Sequence, residues 1–183
     1  MEQATLRSPR LMLRPFVLED AADVQRLAGD RAIADTTLNI PHPYEDGAAE
    51  QWISGHRKQF RAGTHAVFAM IEKRSGQLIG TVSLTVDKLC NKAELGYWVG
   101  KPFWNQGFAT EAAASVVAYG FAELGLNRIG SRHVVRNPAS GKVMQKLGMQ
   151  QEGILRQDAL KWGEYEDLCV YGLLKQEWQA RRG

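Results

Sequence analysis

The sequence predicts a mixed fold of the α+β class, in which strands and helices share one core. Three observations carry this. Residues 92–99 alternate Leu95, Tyr97 and Val99 with Glu94, Gly96 and Trp98, the two-residue period of a strand with two different faces. After the turn at 105–109, residues Ala109, Ala113, Val116, Val117, Phe121 and Leu124 recur at three- and four-residue spacing, which predicts an amphipathic helix from Gly107 to Leu124, closed by Gly125. Residues 128–135 again read as a strand. The three segments therefore form a strand–helix–strand unit whose strands should run parallel with a right-handed crossover.

The remaining elements follow in order. Leu11, Leu13 and Pro15 around Met12 and Arg14 read as a first strand. Residues 18–29 read as a helix, with acids in the first turn, Ala21, Val24, Leu27 and Ala28 on one face, and Gly29 at the end. Between Gly29 and Tyr44 the period is lost and Pro41 and Pro43 constrain the backbone, so a loop is expected. Helical spacing returns from Asp46 to Arg61. The β-rich segments 65–71 and 78–86, joined through Ser75-Gly76, predict an antiparallel hairpin. Asn137-Pro138 opens a short helix ending near Leu147-Gly148, with Asn as N-cap and Pro at the first helical position. Strands over 149–160 and 165–174 and a polar helix over 175–182 complete the chain, for seven strands in all.

At 183 residues, 44% hydrophobic and 23% charged, residues 1–183 fit one domain with an adequate core. The net charge of +3 is too small to argue for a nucleic-acid partner. Cys90 and Cys169 are isolated, and His42, His56, His65 and His133 lack ligand spacing, so no metal is expected. Arg7, Arg10 and Arg14 interrupt the early apolar residues and no apolar run approaches a membrane span, which leaves a soluble cytoplasmic protein as the expectation.

A helix beginning at Gly107 directs unpaired backbone N–H groups, with the helix dipole behind them, at whatever lies ahead; they favour an anion. A glycine turn before a helix is more often only a turn. The longer string is more specific. Glu94-Leu-Gly-Tyr-Trp98, followed by Trp104-Asn-Gln-Gly-Phe-Ala-Thr-Glu-Ala112, resembles the acyl-CoA-binding core of the GNAT superfamily of N-acyltransferases. Within it the string is similar to the RimJ/RimL-type branch, named for enzymes that acetylate the N-termini of ribosomal proteins. The resemblance reaches from about Leu11 to Trp178.

The resemblance implies a GNAT-like fold: a central, splayed, mixed seven-stranded sheet flanked by helices. It implies acetyl-CoA as acetyl donor, its pyrophosphate held by backbone N–H groups of Asn105, Gln106, Gly107, Phe108, Ala109 and Thr110. Backbone groups of Trp98 and Val99 would hold the pantetheine arm and thioester carbonyl, the second role being that of an oxyanion donor. Asn137 matches an asparagine that meets the pantetheine, although an N-cap role alone explains it. Ser140 matches a serine that acts as acid beside the sulfur, or it satisfies its own helix end. Glu94 is the first candidate base, against a plain salt-bridge role; Glu111, Asp158 and Asp167 stand behind it, Asp167 more as an anchor of the last hairpin. Two departures from the pattern are visible. Ala159 stands where RimL-type chains carry an acid, so that role is missing unless Asp158 replaces it, and Trp104 takes the first position of the superfamily's Gln/Arg-x-x-Gly-x-Gly/Ala pattern, where RimJ/RimL-like chains often carry an aromatic. Met144 stands where other branches place a tyrosine as the acid, which weighs against a polyamine acceptor. The acceptor is expected to be a primary amine, first a protein or peptide N-terminus. The alternatives are a small-molecule amine and a CoA-binding regulatory protein without turnover. The acceptor pocket should be built from 31–63, with Tyr44, Trp52 and Phe60 against Asp35, Glu45, Asp46 and Glu50. Relatives commonly form homodimers.

Overall fold

In a computed structural model that describes residues 2–181, the chain runs β1 (Leu6–Arg7), β2 (Leu11–Arg14), α1 (Ala21–Ala28), α2 (Arg31–Thr36), α3 (Ala48–Arg61), β3 (His65–Glu72), β4 (Leu78–Asp87), β5 (Lys92–Val99), α4 (Phe108–Ala122), β6 (Arg128–Val134), α5 (Pro138–Lys146), β7 (Gln150–Lys161), β8 (Glu164–Leu174) and α6 (Lys175–Ala180). Arg182, expected in the last helix, lies outside the described residues. The strands form one sheet in the order β1-β2-β3-β4-β5-β6-β8-β7. The eighth strand is β1, a two-residue partner of β2 that is too short to show any period.

Only the β5–β6 pair is parallel among the described strands, as the strand–helix–strand unit requires. Its ladder is short, joining Lys92 to Arg128, Ala93 to Ile129 and Glu94 to Gly130. Beyond Glu94 the two strands part. Each then keeps its other neighbour: β5 pairs with β4 as far as Val99, and β6 with β8 as far as Val134. A wedge-shaped gap thus opens in the middle of the sheet, and Ser131 spans its apex by donating its hydroxyl to the Leu95 carbonyl at 2.8 Å.

The two sheet faces carry separate cores. On one, α4 and α5 cover Leu11, Leu13, Phe68, Met70, Ile79, Leu84 and Leu95. On the other, α1 and α3 cover Val67, Ala69, Ile71 and Leu78. The sequence predicts α4 as amphipathic, yet it is buried on most sides, from Phe108 through Phe121. An apolar helix is buried on most sides when elements flank it as well as lie beneath it; here β1 and α5 do so, and Trp178 packs at 5.3 Å from Phe121. Gly120 permits the close approach, since a Cβ there would lie 2.8 Å from Ile129 Cδ1.

The expected loop after Gly29 contains α2. Asp30 caps it by accepting from Ala32 N–H at 2.9 Å, and only Ile33 and Ala34 are buried. Six residues with two buried positions leave too little period to read. α2 leads directly into residues 37–41, and residues 36–41 form one wall of the site.

Candidate active site

Gly107 has φ +81° and begins α4 without a side chain to cap it. The first i to i−4 hydrogen bond of the helix runs from Glu111 N–H to Gly107 O at 3.1 Å, so the N–H groups of Phe108, Ala109 and Thr110 precede the ladder. The turn is braced from behind. Arg10 donates from Nη1 to the Gln106 carbonyl at 2.9 Å and stacks 4.5 Å over the Phe108 ring. Glu111 accepts from the Ser8 hydroxyl, from Arg10 N–H and from Arg10 Nε, each at 2.7 Å. Burial alone would raise the Glu111 carboxyl, but these hydrogen bonds together hold it below the ordinary glutamate value. Glu111 is therefore a structural anchor rather than a base.

A cavity of about 410 Å3 lies before this helix end. Its wall includes Trp98, Val99, Asn105, Gly107, Phe108, Ala109, Thr110, Asn137 and Ser140, with Lys142 and Lys146 one helical turn apart on α5. Of the residues expected to hold the cofactor, only Gln106 lies off the wall; its side chain donates to the Pro102 carbonyl at 3.3 Å. Asn137 caps α5 by accepting from Ser140 N–H at 3.4 Å, and its amide nitrogen reaches the Thr36 carbonyl at 3.4 Å.

Strand alternation decides which main-chain groups face the gap. Gly100 N–H donates to Ile79 O at 2.8 Å, which fixes the hydrogen-bonded pairs of the β4–β5 ladder at the even-numbered residues of β5. Trp98 therefore directs its main-chain groups toward β4 and contributes its side chain to the site. Tyr97 and Val99 direct theirs toward the gap, where the Val99 carbonyl accepts from Trp104 Nε1 at 2.6 Å. The expectation of an oxyanion donor in this strand thus falls on the N–H of Val99 and not on that of Trp98.

A second cavity, of about 370 Å3, lies on the other side of the gap. Residues 36–41, Tyr44 and Trp52 wall it opposite Glu94, Arg132, His133 and Ser131. Phe60, Asp35, Glu45, Asp46 and Glu50, all expected at this mouth, do not line it. Asp35 is drawn off by Arg136 at 3.1 Å and Asp46 by Gln25 at 2.6 Å. The carboxylate that does face the cavity is Glu94. Arg132 holds it through Nε at 3.0 Å and places Nη1 3.7 Å from Asp158, with the Glu94 side chain 52% exposed. Asp167 instead accepts from Gln157 N–H at 2.8 Å and fixes the irregular pairing of β7 with β8.

The two cavities meet at Thr36, Thr37, Tyr97, Trp98 and Ser140, all of which line both. Tyr97 Oη lies 2.9 Å from Ser140 Oγ and 3.0 Å from the Ser140 carbonyl. Burial pushes the Tyr97 phenol up to about 12, against a smaller downward pull from its Ser140 hydrogen bond. Sequence reasoning placed Tyr97 as an alternating strand residue inside the string that carries the family resemblance, without a role of its own. Its contact with Ser140 crosses 43 residues and no spacing announces it.

A family model described as an acetyltransferase (GNAT) domain matches residues 10–150. The chain belongs to the GNAT acetyltransferase family. It is accordingly an acyltransferase that uses acetyl-CoA, and the free helix N–H groups, the uncapped Gly107 and the cavity leading to the Val99 amide suit such a donor. Uncharacterized N-acetyltransferase p20 of Bacillus licheniformis is 34% identical over 176 residues, covering 95% of this chain and 98% of that protein. Putative ribosomal N-acetyltransferase YdaF of Bacillus subtilis is 38% identical over 108 residues, covering 58% of this chain and 59% of the relative. FsC-acetyl coenzyme A-N(2)-transacetylase of Aspergillus fumigatus is 32% identical over 185 residues, covering 96% and 78%. The structure of RimL, a ribosomal alpha-N-protein acetyltransferase, in complex with coenzyme A shares the fold with a TM-score of 0.86 at 17% identity, covering 95% of this acetyltransferase and 99% of RimL.

Proposed function

We propose that this acetyltransferase transfers acetyl from acetyl-CoA to the α-amine of a protein or peptide N-terminus. The observation that carries the reading is the meeting of a cofactor cavity and a carboxylate-bearing cavity at Tyr97, Trp98 and Ser140. Acetyl-CoA supplies the activated acetyl group. The N–H groups of Phe108, Ala109 and Thr110 hold the diphosphate, with Asn105 and Gly107 shaping the approach; Asn137 and Val99 flank the pantetheine. Lys142 and Lys146 balance the charge at the nucleotide end. Val99 N–H stabilises the charge that develops on the acetyl oxygen.

An α-amine has a pKa of about 8, against about 10 for lysine, so it loses its first proton with far less help. Glu94 takes that proton, directly or through one water, while Arg132 keeps the carboxylate oriented. Ser140 serves the departing sulfur as acid. The name of the ribosomal relative supports a protein N-terminus. The Aspergillus relative, similar over more of the chain, favours a second reading in which a small-molecule amine is the acceptor.

Thiol release from acetyl-CoA over a panel of N-terminal peptides and small amines tests this. Turnover confined to peptides supports the lead, turnover confined to small amines replaces it with the second reading, and tight CoA binding without turnover leaves a regulatory CoA-binding protein. With a working acceptor, Glu94→Gln should lower kcat/KM by about 100-fold, the usual scale of a lost general base, while CoA affinity stays unchanged.

A further inference from the structure

Acetyl transfer to an ammonium releases two protons from nitrogen, and the reaction separates their fates. The first leaves before attack and goes to solvent. The second leaves after the new C–N bond has formed, as the C–S bond breaks and the sulfur takes up its electron pair and needs a proton. Glu94 lies on the acceptor side only. Two hydroxyls in mutual contact, those of Tyr97 and Ser140, lie where both cavities meet.

We infer that Tyr97 and Ser140 form a proton relay that carries the second proton from the acetylated nitrogen to the leaving sulfur. Tyr97 Oη accepts the nitrogen's proton and passes its own to Ser140 Oγ, which releases its proton to sulfur. One N–H bond is lost, one S–H bond is gained, and both hydroxyls end as they began. The hydrogen bonding permits this order. Tyr97 Oη lies within reach of both the Ser140 carbonyl and Ser140 Oγ, so its proton can swing from the first to the second without a change of rotamer. Asn137 holds the serine in place through Ser140 N–H. The high phenol pKa set by burial suits a relay group, because tyrosinate is too costly to accumulate and each proton in must be matched by a proton out. Glu94 then has one task, the first proton.

The inference rests on the acetyl-transfer reading above, and two measurements separate their failures. The first is a double-mutant cycle on kcat with whichever amine of the panel is turned over. Tyr97→Phe and Ser140→Ala should each lower kcat by about 100-fold, and the double variant should be no worse than the singles by more than about threefold, because a chain broken once is fully broken. CoA affinity and melting temperature should stay near wild type. The second measurement needs no acceptor. In protein carrying tyrosine labelled with carbon-13 at Cζ, the resonance assigned to Tyr97 by its loss in Tyr97→Phe should shift when coenzyme A is added. It should not shift with desulfo-coenzyme A, nor with coenzyme A in Ser140→Ala. A Tyr97→Phe variant within threefold of wild-type kcat, single losses that multiply in the double variant, or a Tyr97 resonance indifferent to the sulfur would overturn the relay. Absence of wild-type turnover on every amine would instead overturn the acetyl-transfer reading, with the resonance still deciding whether the hydroxyl pair senses the sulfur.

Discussion

His56 shows what a single side chain costs when its surroundings offer it nothing. It is 7% exposed, packed edge-on against Trp52 at 4.4 Å and Phe16 at 5.5 Å, and neither ring nitrogen has a hydrogen-bond partner. Burial, with His65 nearby, lowers its pKa from 6.5 to about 4. A depressed histidine value means that the unfolded chain binds the proton first. The stability is therefore fully present above about pH 6.5 and is lost as pH falls through about 4, a difference of about 3 kcal/mol. Melting temperature should drop steeply across this window, and His56→Leu should flatten the drop while leaving the pH 7.5 melt unchanged or higher. A variant that melts with wild-type pH dependence would place the acid sensitivity elsewhere. His56 falls within the helix expected from Asp46 to Arg61, but its missing partners depend on Phe16 and the core packed around it, which no local pattern announces.

At the scale of elements, the glycine turn before α4 was legible because its requirements are local. Gly107 adopts φ +81°, and a Cβ there would meet only Arg10 Nη2 at 3.5 Å, so the obstacle to substitution is conformation rather than space. Gly107→Ala should cost about 1 kcal/mol of stability from the left-handed backbone alone. It should weaken CoA binding by about tenfold or more, as isothermal titration would show, because the methyl group intrudes on main-chain donors. The wall at residues 36–41, on the side proposed for the acceptor, was much less legible. Residues 36–41 take their position from the β7–β8 hairpin, where Lys161 Nζ donates to the Thr37 carbonyl at 2.7 Å and Arg136 joins Asp35 to Glu166. Burial lowers the Lys161 pKa, opposed by Asp35, yet its carbonyl partners keep it engaged. The two Lys161 contacts span more than 120 residues and follow no period. Lys161→Met should raise the acceptor KM by about fivefold or more while CoA affinity stays near wild type, since one buried charge-assisted bond to the wall is lost. An equal effect on both ligands would mean that the wall belongs to the cofactor side as well.

Across the whole molecule, the sheet opens between β5 and β6. β5 stays on β4 as far as Val99 and β6 stays on β8 as far as Val134, while the parallel ladder between them ends after three residue pairs. The alternating pattern of 92–99 shows that a central strand exists, and the family resemblance implies the opening. Neither shows which amides face it, because that depends on the phase of the antiparallel ladder. Hydrogen exchange can read this phase directly. The amides of Tyr97 and Val99 should exchange quickly in the free protein and slow markedly with CoA, while those of Gly96 and Trp98 stay protected throughout. Protection of all four without ligand would mean a closed sheet.

The brace formed by Ser8, Arg10 and Glu111 has a practical corollary. It ties the amino-terminal arm to the mouth of α4, about a hundred positions downstream, through three bonds to one carboxylate. Trimming or crowding that arm should therefore register as poor nucleotide retention well before the protein loses solubility or circular dichroism. Purification handles belong at the opposite terminus.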